Sequence, residues 1–296
     1  MAVDAQALAA HSLTATPSLM TRARRIARRA PVGVAALAVI ILFALLAIAA
    51  PVFAPYDPQA QDYNQLLHEP SLEHPFGTDR IGRDLLSRVI YGTRISFLVG
   101  VVAVGVALVI GTPLGLMAGY FRGGADELIM RILDAFIAFP GVIFALAIIA
   151  VLGSSLTNVM LAIGITSVPL FARITRSQVL SLRERDYVLA AISSGASDFR
   201  VMLRHILPNA TSPLIVQATL GLGFAVLAEA GLGYLGVGVQ PPTPTWGSDL
   251  NQGSSLLERA PWLSIAPGMA IFVLVLAFNL VGDALRDQLD PWTRKA

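Results

Sequence analysis

The sequence predicts an all-α membrane protein with six transmembrane helices, and three observations support this fold class. Hydrophobic residues make up 55% of the 296 residues, charged residues only 14%, and the mean hydropathy is +0.69. A soluble domain usually carries about 25% charged residues, so we expect lipid to cover much of this surface. Several long apolar runs without period-two alternation follow one another along the chain, which indicates helices rather than strands of a membrane barrel.

The first transmembrane helix is predicted over 31–54, after a basic cytoplasmic segment, 1–30. At 1.5 Å per residue this run can cross about 30 Å of hydrocarbon. A cleaved signal peptide is the alternative, because Ala47-Ile48-Ala49 resembles a cleavage site. The apolar core is longer than the roughly 7–15 residues usual in signal peptides, which favours an uncleaved anchor.

The rest of the chain divides by polarity. Segment 55–92 is rich in Pro, Asp and Gln, and we expect it outside the membrane. A five-helix core is predicted over 93–285, followed by a cytoplasmic tail, 286–296. The apolar runs of this core lie near 95–119, 132–152, 157–180, 213–235 and 262–282.

The orientation of the bundle is predicted from its basic residues. When the N-terminus is placed inside, 16 of the 21 Lys and Arg residues fall in cytoplasmic segments. Cytoplasmic loops carry an excess of Lys and Arg. Both termini are therefore predicted in the cytoplasm.

Segment 183–209 lies on the predicted cytoplasmic side and is longer than a hairpin between two spans requires. Tyr187–Ser193 is predicted as a short helix and Gly195 as a turn. Ser197 or Asp198 is expected to cap a second helix, which Pro208 ends.

The second helix of this segment has a predicted apolar stripe at positions i, i+3, i+4 and i+7. The stripe consists of Phe199, Met202, Leu203 and Ile206. It indicates that the helix packs against something. A helix that lies on lipid headgroups would carry the same pattern, and the stripe alone leaves both interpretations open.

Leu189-Ala190-Ala191, with Gly195 and then Leu207-Pro208, resembles the EAA loop in permease subunits of type I ABC importers. In that family the loop docks into a groove on a cytosolic ATPase subunit and transmits its motion. Here Leu189 replaces the usual acidic residue. The resemblance implies that coupling to the ATPase involves Tyr187, Leu189, Ala190, Ala191, Gly195, Ala196, Asp198, Arg204, His205, Leu207 and Pro208.

Two further stretches are similar to the C-type subunit of dipeptide and oligopeptide permeases. His74–Arg94 resembles the segment that leads into the second span, and Glu229–Gly247 resembles the end of the fifth span and the loop after it. The resemblance implies a type I ABC importer transmembrane domain in a bacterial plasma (inner) membrane. It also implies a second homologous permease subunit, two cytosolic ATPase subunits, an external solute-binding protein and a peptide substrate, in a class whose members carry dipeptides, oligopeptides, glutathione or nickel chelates.

The sequence provides no candidate catalytic, cofactor or metal site. Its single lysine, Lys295, follows no glycine-rich loop, so a P-loop is absent. We therefore expect ATP and Mg²⁺ to be bound by partner subunits. The chain has no cysteine, and its four histidines lack metal-ligand spacing such as HExxH. The sequence has no basic stripe with interleaved aromatic residues, so it does not predict nucleic-acid binding.

Glu229 is the single acidic residue within the fifth predicted span. Buried carboxylates in membranes usually face a cavity or a partner. Glu229 is therefore expected either to line the translocation path or to pack the fifth span against a neighbour. An ion-coupled secondary transporter is the alternative function, but that class shows inverted repeats and ionisable residues near the midplane. Only Glu229 approaches this description.

A charged stretch, 79–88, is predicted as an amphipathic helix on the outer membrane surface. Arg80 and Asp84, and also Asp84 and Arg88, are spaced for i,i+4 ion pairs. A docking surface for an external solute-binding protein is the alternative interpretation.

Overall fold

The computed structural model describes residues 30–289, so the predicted basic segment before Ala30 and the tail after Leu289 lie outside the described residues. The regular secondary structure within this range consists of helices, with one isolated bridge between Thr78 and Asp84. The helices are α1 (Pro31–Ile48), α2 (Ala50–Phe53), α3 (Leu85–Phe121), α4 (Gly123–Ile137), α5 (Gly141–Leu152), α6 (Leu156–Leu182), α7 (Asp186–Ser193), α8 (Asp198–Tyr234), α9 (Trp246–Ser254) and α10 (Trp262–Leu289).

Five of these helices, α1, α3, α6, α8 and α10, are long and apolar enough to cross a membrane. The predicted run 132–152 is not one straight helix, because α4 and α5 meet at an angle of 88°. Pro140 stands at this break, and a proline disfavours helical geometry in the residue before it. The count reaches the predicted six spans when this bent pair is taken as one.

The centre of the bundle is the contact between α3 and α6, which pack more extensively than any other pair of described helices. Gly111, Gly115 and Gly119 form one face of α3 at i, i+4 and i+8. A Cβ atom at Gly115 would lie 2.3 Å from the carbonyl oxygen of Ala172 in α6. The two backbones approach this closely only because glycine has no side chain.

Helix α1 packs onto this bundle instead of standing apart. Gly33 lies against Ala284 of α10, and Phe43 packs on the cluster that contains Leu274 and Phe278. Helix α1 is therefore part of the helical bundle, and its role as a membrane anchor stays a prediction.

The predicted surface helix over 79–88 is wrong. Helix α3 begins at Leu85, and the Asp84 carboxylate caps it by accepting a 2.7 Å hydrogen bond from the Ser87 backbone N–H. An N-cap residue requires extended backbone geometry, and Gly82 before it adopts φ +75° in a turn packed against Asp62. These two constraints prevent a continuous helix through the charged stretch.

Residues 55–84 and α9 instead form a folded cap over one end of the bundle. The Arg83 Nε donates to the Asp79 carboxylate at 2.6 Å, and both side chains are buried. Arg88 is buried and its Nε donates to the Asp249 carboxylate of α9 at 2.9 Å. The predicted Arg80–Asp84 and Asp84–Arg88 pairs are absent from the described ion pairs.

Candidate functional site

Segment 183–209, called the loop below, lies at the end of the bundle opposite the cap. Helix α6 leads into α7, which begins one residue before the predicted start. Gly195 ends the turn with φ +80°, and its N–H donates to the Ile192 carbonyl at 2.9 Å. The Ala196 N–H donates to the Ala191 carbonyl at 3.1 Å. These paired bonds are a Schellman motif, which confirms the predicted turn at Gly195.

The prediction that Pro208 ends the second helix is wrong, because α8 continues through it to Tyr234. Val201–Ile206 is wound as a π-helical turn, in which the Leu207 N–H donates to the Met202 carbonyl five residues earlier. Proline has no N–H for the usual helical bond, and the wider turn accommodates this loss. The Asn209 side chain donates to the His205 carbonyl at 2.7 Å, so this carbonyl keeps a partner.

The loop is tied to the end of α3 by polar contacts. Ser197 occupies the predicted N-cap position of α8, but its side chain makes no capping bond. The Asp198 carboxylate accepts a 2.7 Å hydrogen bond from the Tyr120 hydroxyl instead. The Arg183 guanidinium stacks over the Tyr120 ring at 5.2 Å. These contacts fix the loop to the bundle through one tyrosine.

The inner side of the loop is a small hydrophobic core. Val188, Val201 and Ile206 are fully buried against α3 and α6, where they contact a cluster that includes Leu116 and Val179. This core joins the loop to the α3–α6 pair.

The outer side of the loop is apolar and uncovered. Phe199 is 70% exposed and Leu203 is 42% exposed, whereas Met202 of the same predicted stripe is half-buried and Ile206 is buried. The stripe therefore does not pack on one surface, since the π-helical turn rotates its members apart. We call the exposed hydrophobic residues the outer face; they are Tyr187, Leu189, Ile192, Phe199 and Leu203.

The other predicted coupling residues surround this outer face. Some are exposed and some are half-buried at the edge of the inner core. The exposed group is Ala190, Gly195, Asp198, Arg204 and Pro208, and the half-buried group is Ala191, Ala196, His205 and Leu207. The structure thus brings the predicted residues together on one loop.

Glu229 lies in α8, far along the helix from the loop, and is completely buried. It approaches Ser96 of α3, yet neither carboxylate oxygen has hydrogen-bond geometry to any described residue. It does not line the three clefts of about 530, 670 and 620 Å³ among residues 30–289. The suggested role of Glu229 in the path stays a prediction.

Comparison with known proteins identifies the family. Residues 111–295 match the sequence profile of the binding-protein-dependent transport system inner membrane component. The chain belongs to this family. Residues 18–70 also match the N-terminal transmembrane domain of oligopeptide transport permease C. The permease is therefore a multi-pass inner-membrane protein, and this membership favours the predicted importer over an ion-coupled transporter.

Curated relatives agree with this membership over most of the permease. It is 47% identical to the dipeptide transport system permease protein DppC of Alkalihalophilus pseudofirmus over 259 residues, 88% of this chain and 85% of the relative. It is 48% identical to the glutathione transport system permease protein GsiD of Escherichia coli O157:H7 over 265 residues, 89% of this chain and 88% of the relative. These relatives are permease subunits, which confirms the prediction of a transport subunit and not an enzyme.

Solved structures support the fold. The inward-facing MetNI methionine ABC transporter matches with a TM-score of 0.57 at 19% identity, covering 69% of this chain and 96% of that one. An amino acid ABC transporter crystallised with histidines matches with a TM-score of 0.52 at 17% identity, covering 71% and 95%. Membership in this family implies that the permease works with an ATPase and a substrate-binding partner, as predicted.

Proposed function

We propose that the permease forms half of the path by which a bacterial importer carries di- or oligopeptides across the plasma membrane. A second homologous permease supplies the other half, and two cytosolic ATPase subunits bind the ATP and Mg²⁺. An external solute-binding protein delivers the peptide. The substrate class rests on relatives named for dipeptide and glutathione transport at 47% and 48% identity.

The observation that carries the coupling role is the division of the loop into two sides. Its inner side is a buried core on α3 and α6, and its outer face exposes five hydrophobic side chains. Burying a large apolar side chain stabilises a contact by about 1.5–3 kcal/mol. The outer face therefore suits a protein groove, and the inner core transmits the displacement of that partner to the long helices.

This role sets the orientation. The loop lies in the cytoplasm, where the ATPases are, and the cap lies outside. The arginine distribution along the sequence predicts the same orientation, since 16 of the 21 Lys and Arg residues fall in the segments assigned to the cytoplasm. Movement of the loop with the ATPases then opens the path alternately to each side.

Co-purification tests this proposal. The tagged permease is isolated in detergent from cells that produce the whole importer. We expect two Walker-motif ATPases and a second permease in the wild-type preparation. Phe199→Ser is expected to reduce the recovered ATPase at least tenfold without lowering thermal stability, because the side chain is 70% exposed.

Leu72→Ser is the matched control, because Leu72 is a fully exposed leucine of the cap. It should leave ATPase recovery unchanged. The coupling role is refuted if Phe199→Ser retains its ATPases, as a helix resting only on headgroups would. ATP-dependent uptake of a dipeptide into proteoliposomes made permeable to ions tests the substrate and excludes coupling to an ion gradient.

A further inference from the structure

A polar cleft of about 620 Å³ opens between α6, α8 and α10 at the loop end of the bundle. Helices α8 and α10 meet tightly where Gly282 lies against Leu220. Leu220 also lines the cleft, whereas Arg286 and Leu289 of α10 line it farther along the chain. The cleft is therefore the space left where these two helices separate toward the loop end.

One face of α8 supplies most of the polar wall. Asn209, Ser212 and Gln217 line the cleft at helical spacing, together with Gln178 of α6. The side chains of Ser212, Gln217 and Gln178 make no hydrogen bond to any residue that the structure describes. The sequence already indicates this polar wall, because uncharged polar residues interrupt the apolar pattern of both helices.

Free amide groups inside a membrane bundle need a partner. An amide or hydroxyl group without a hydrogen bond is costly in an apolar medium, and polar residues within spans usually face a water-filled cavity. These side chains are half-buried and point into an open cleft, so water or a polar ligand satisfies them. Lipid tails offer no hydrogen bond.

The chemistry of the wall matches a peptide backbone. A glutamine side chain has one carbonyl acceptor and two N–H donors, the same groups that a peptide unit presents. The lining contains no carboxylate, and its single charge is Arg286, which makes no ion pair within residues 30–289. Such a wall binds main-chain amides regardless of side-chain charge, and the arginine attracts a peptide carboxylate.

We propose that this cleft is a peptide-binding part of the translocation path, in which Gln178 and Gln217 hydrogen-bond the peptide backbone and Arg286 receives its carboxylate. The inference rests on the proposed function and adds a binding site to it. The competing occupants are lipid, the second permease, and residues 290–296, which follow Leu289 in the sequence.

The absence of cysteine from the sequence makes the labelling experiment direct. Gln217→Cys and Gln178→Cys are made singly in the complete importer and treated with a water-soluble, membrane-impermeant maleimide in inside-out vesicles. Ile215→Cys is the matched control, because Ile215 is on the same helix and is 49% exposed but does not line the cleft. We expect the two glutamine positions to react at least ten times faster than Ile215→Cys and a transported dipeptide to slow their reaction.

Two labelling results overturn the inference. If neither glutamine position reacts, lipid or the second permease fills the cleft and water does not reach it. If they react only after residues 290–296 are deleted, the C-terminal segment fills it.

Uptake kinetics provide a second measurement. Gln217→Leu is expected to raise the KM for the dipeptide about tenfold, and Gln217→Asn to restore part of the loss, with ATPase recovery unchanged. An unchanged KM in both Gln217→Leu and Gln178→Leu overturns the cleft assignment alone. Failure of the wild-type importer to take up any peptide overturns the proposed function instead, so the two failures are distinguishable.

Discussion

The two ends of the bundle are held together by different forces. At the cap, charged side chains are buried and paired, as in Arg88 with Asp249 and Arg83 with Asp79. At the loop, the buried residues are aliphatic, the ion pair Arg122–Glu184 is exposed, and hydrophobic side chains face outward. Removing one partner of a buried ion pair strongly destabilises the fold, because the other charge stays buried without compensation. The cap is therefore held by buried polar contacts, and the loop exposes the apolar surface that the proposed coupling role requires.

Tryptophan side chains strengthen this contrast. The Trp246 indole is fully buried, donates to the Val89 carbonyl at 2.9 Å and fills the space beside Gly92 of α3. The Trp262 indole donates to the Thr78 carbonyl at 3.3 Å. These contacts join α9 to α3 and α10 to residues 55–84 at the cap end.

The largest expected effect comes from breaking the buried pair of the cap. Arg88→Met leaves the Asp249 carboxylate buried without its cation, and we expect a loss of about 3–5 kcal/mol in stability. Thermal unfolding of the purified permease measures it. Arg80→Met is the control, because Arg80 is exposed and bonds only to Ser255 among the described residues; it should cost less than about 1 kcal/mol.

The pH dependence of the Arg88→Met variant follows from the same pair. Burial raises the pKa of the Asp249 carboxyl, and Arg88 opposes this by stabilising the charged form. Without Arg88, the folded state binds the proton more tightly than the unfolded state does, so stability falls as the pH rises above about 4. If Arg88→Met lost the same stability relative to the wild type at acidic and at neutral pH, the buried pairing would be contradicted.

The next largest loss of stability is expected from disrupting the close packing of α3 on α6, which connects the two ends of the bundle. Gly115→Ala places a Cβ atom 2.3 Å from the Ala172 carbonyl oxygen, and we expect overpacking to cost about 1–3 kcal/mol. Gly105→Ala is the control on the same helix, since no atom lies within 4 Å of its added Cβ. Thermal unfolding should separate the two variants. If both are neutral, α3 and α6 do not pack as closely as described.

A smaller effect on stability but a specific effect on coupling is expected at Gly195. Gly195→Ala places a side chain at φ +80°, which costs about 1–2 kcal/mol locally. The strained turn should reduce ATPase-bound permease in co-purification. Gly153→Ala has the same type of strain at φ +87°, also in open space, but lies outside the loop. It should retain the ATPases, and equal losses in both variants would contradict a coupling role for the turn.

The smallest effect is expected at Leu189, which stands where related loops carry an acidic residue. Leu189 is 49% exposed, so Leu189→Glu should change stability by no more than about 0.5 kcal/mol. A restored polar contact of about 0.5 kcal/mol would raise the bound ATPase roughly twofold. Leu189→Gln is the uncharged comparison. A decrease for Leu189→Glu would show that the partner groove is apolar at this point.

The sequence by itself determined the helices that are dominated by local patterning. Long apolar runs have no alternative to helix in a bilayer, because every backbone polar group must be bonded within the segment. The short helix α7 and the turn at Gly195 were equally predictable, since a glycine after an apolar helix is a local signal. The spacing of Leu189-Ala190-Ala191, Gly195 and Leu207-Pro208, together with the His74–Arg94 and Glu229–Gly247 blocks, indicated the family.

Only the tertiary structure decided which charged residues pair and whether a helix continues through a proline. Arg88 pairs with Asp249, 161 positions away, and not with Asp84 at i−4, because the cap excludes water and brings α9 onto α3. Pro208 does not end α8, because the neighbouring core stabilises a π-helical turn that local rules do not predict. The cleft beside Gln217 exists because α8 and α10 separate beyond Gly282. Such features depend on contacts between distant segments, which a local pattern does not contain.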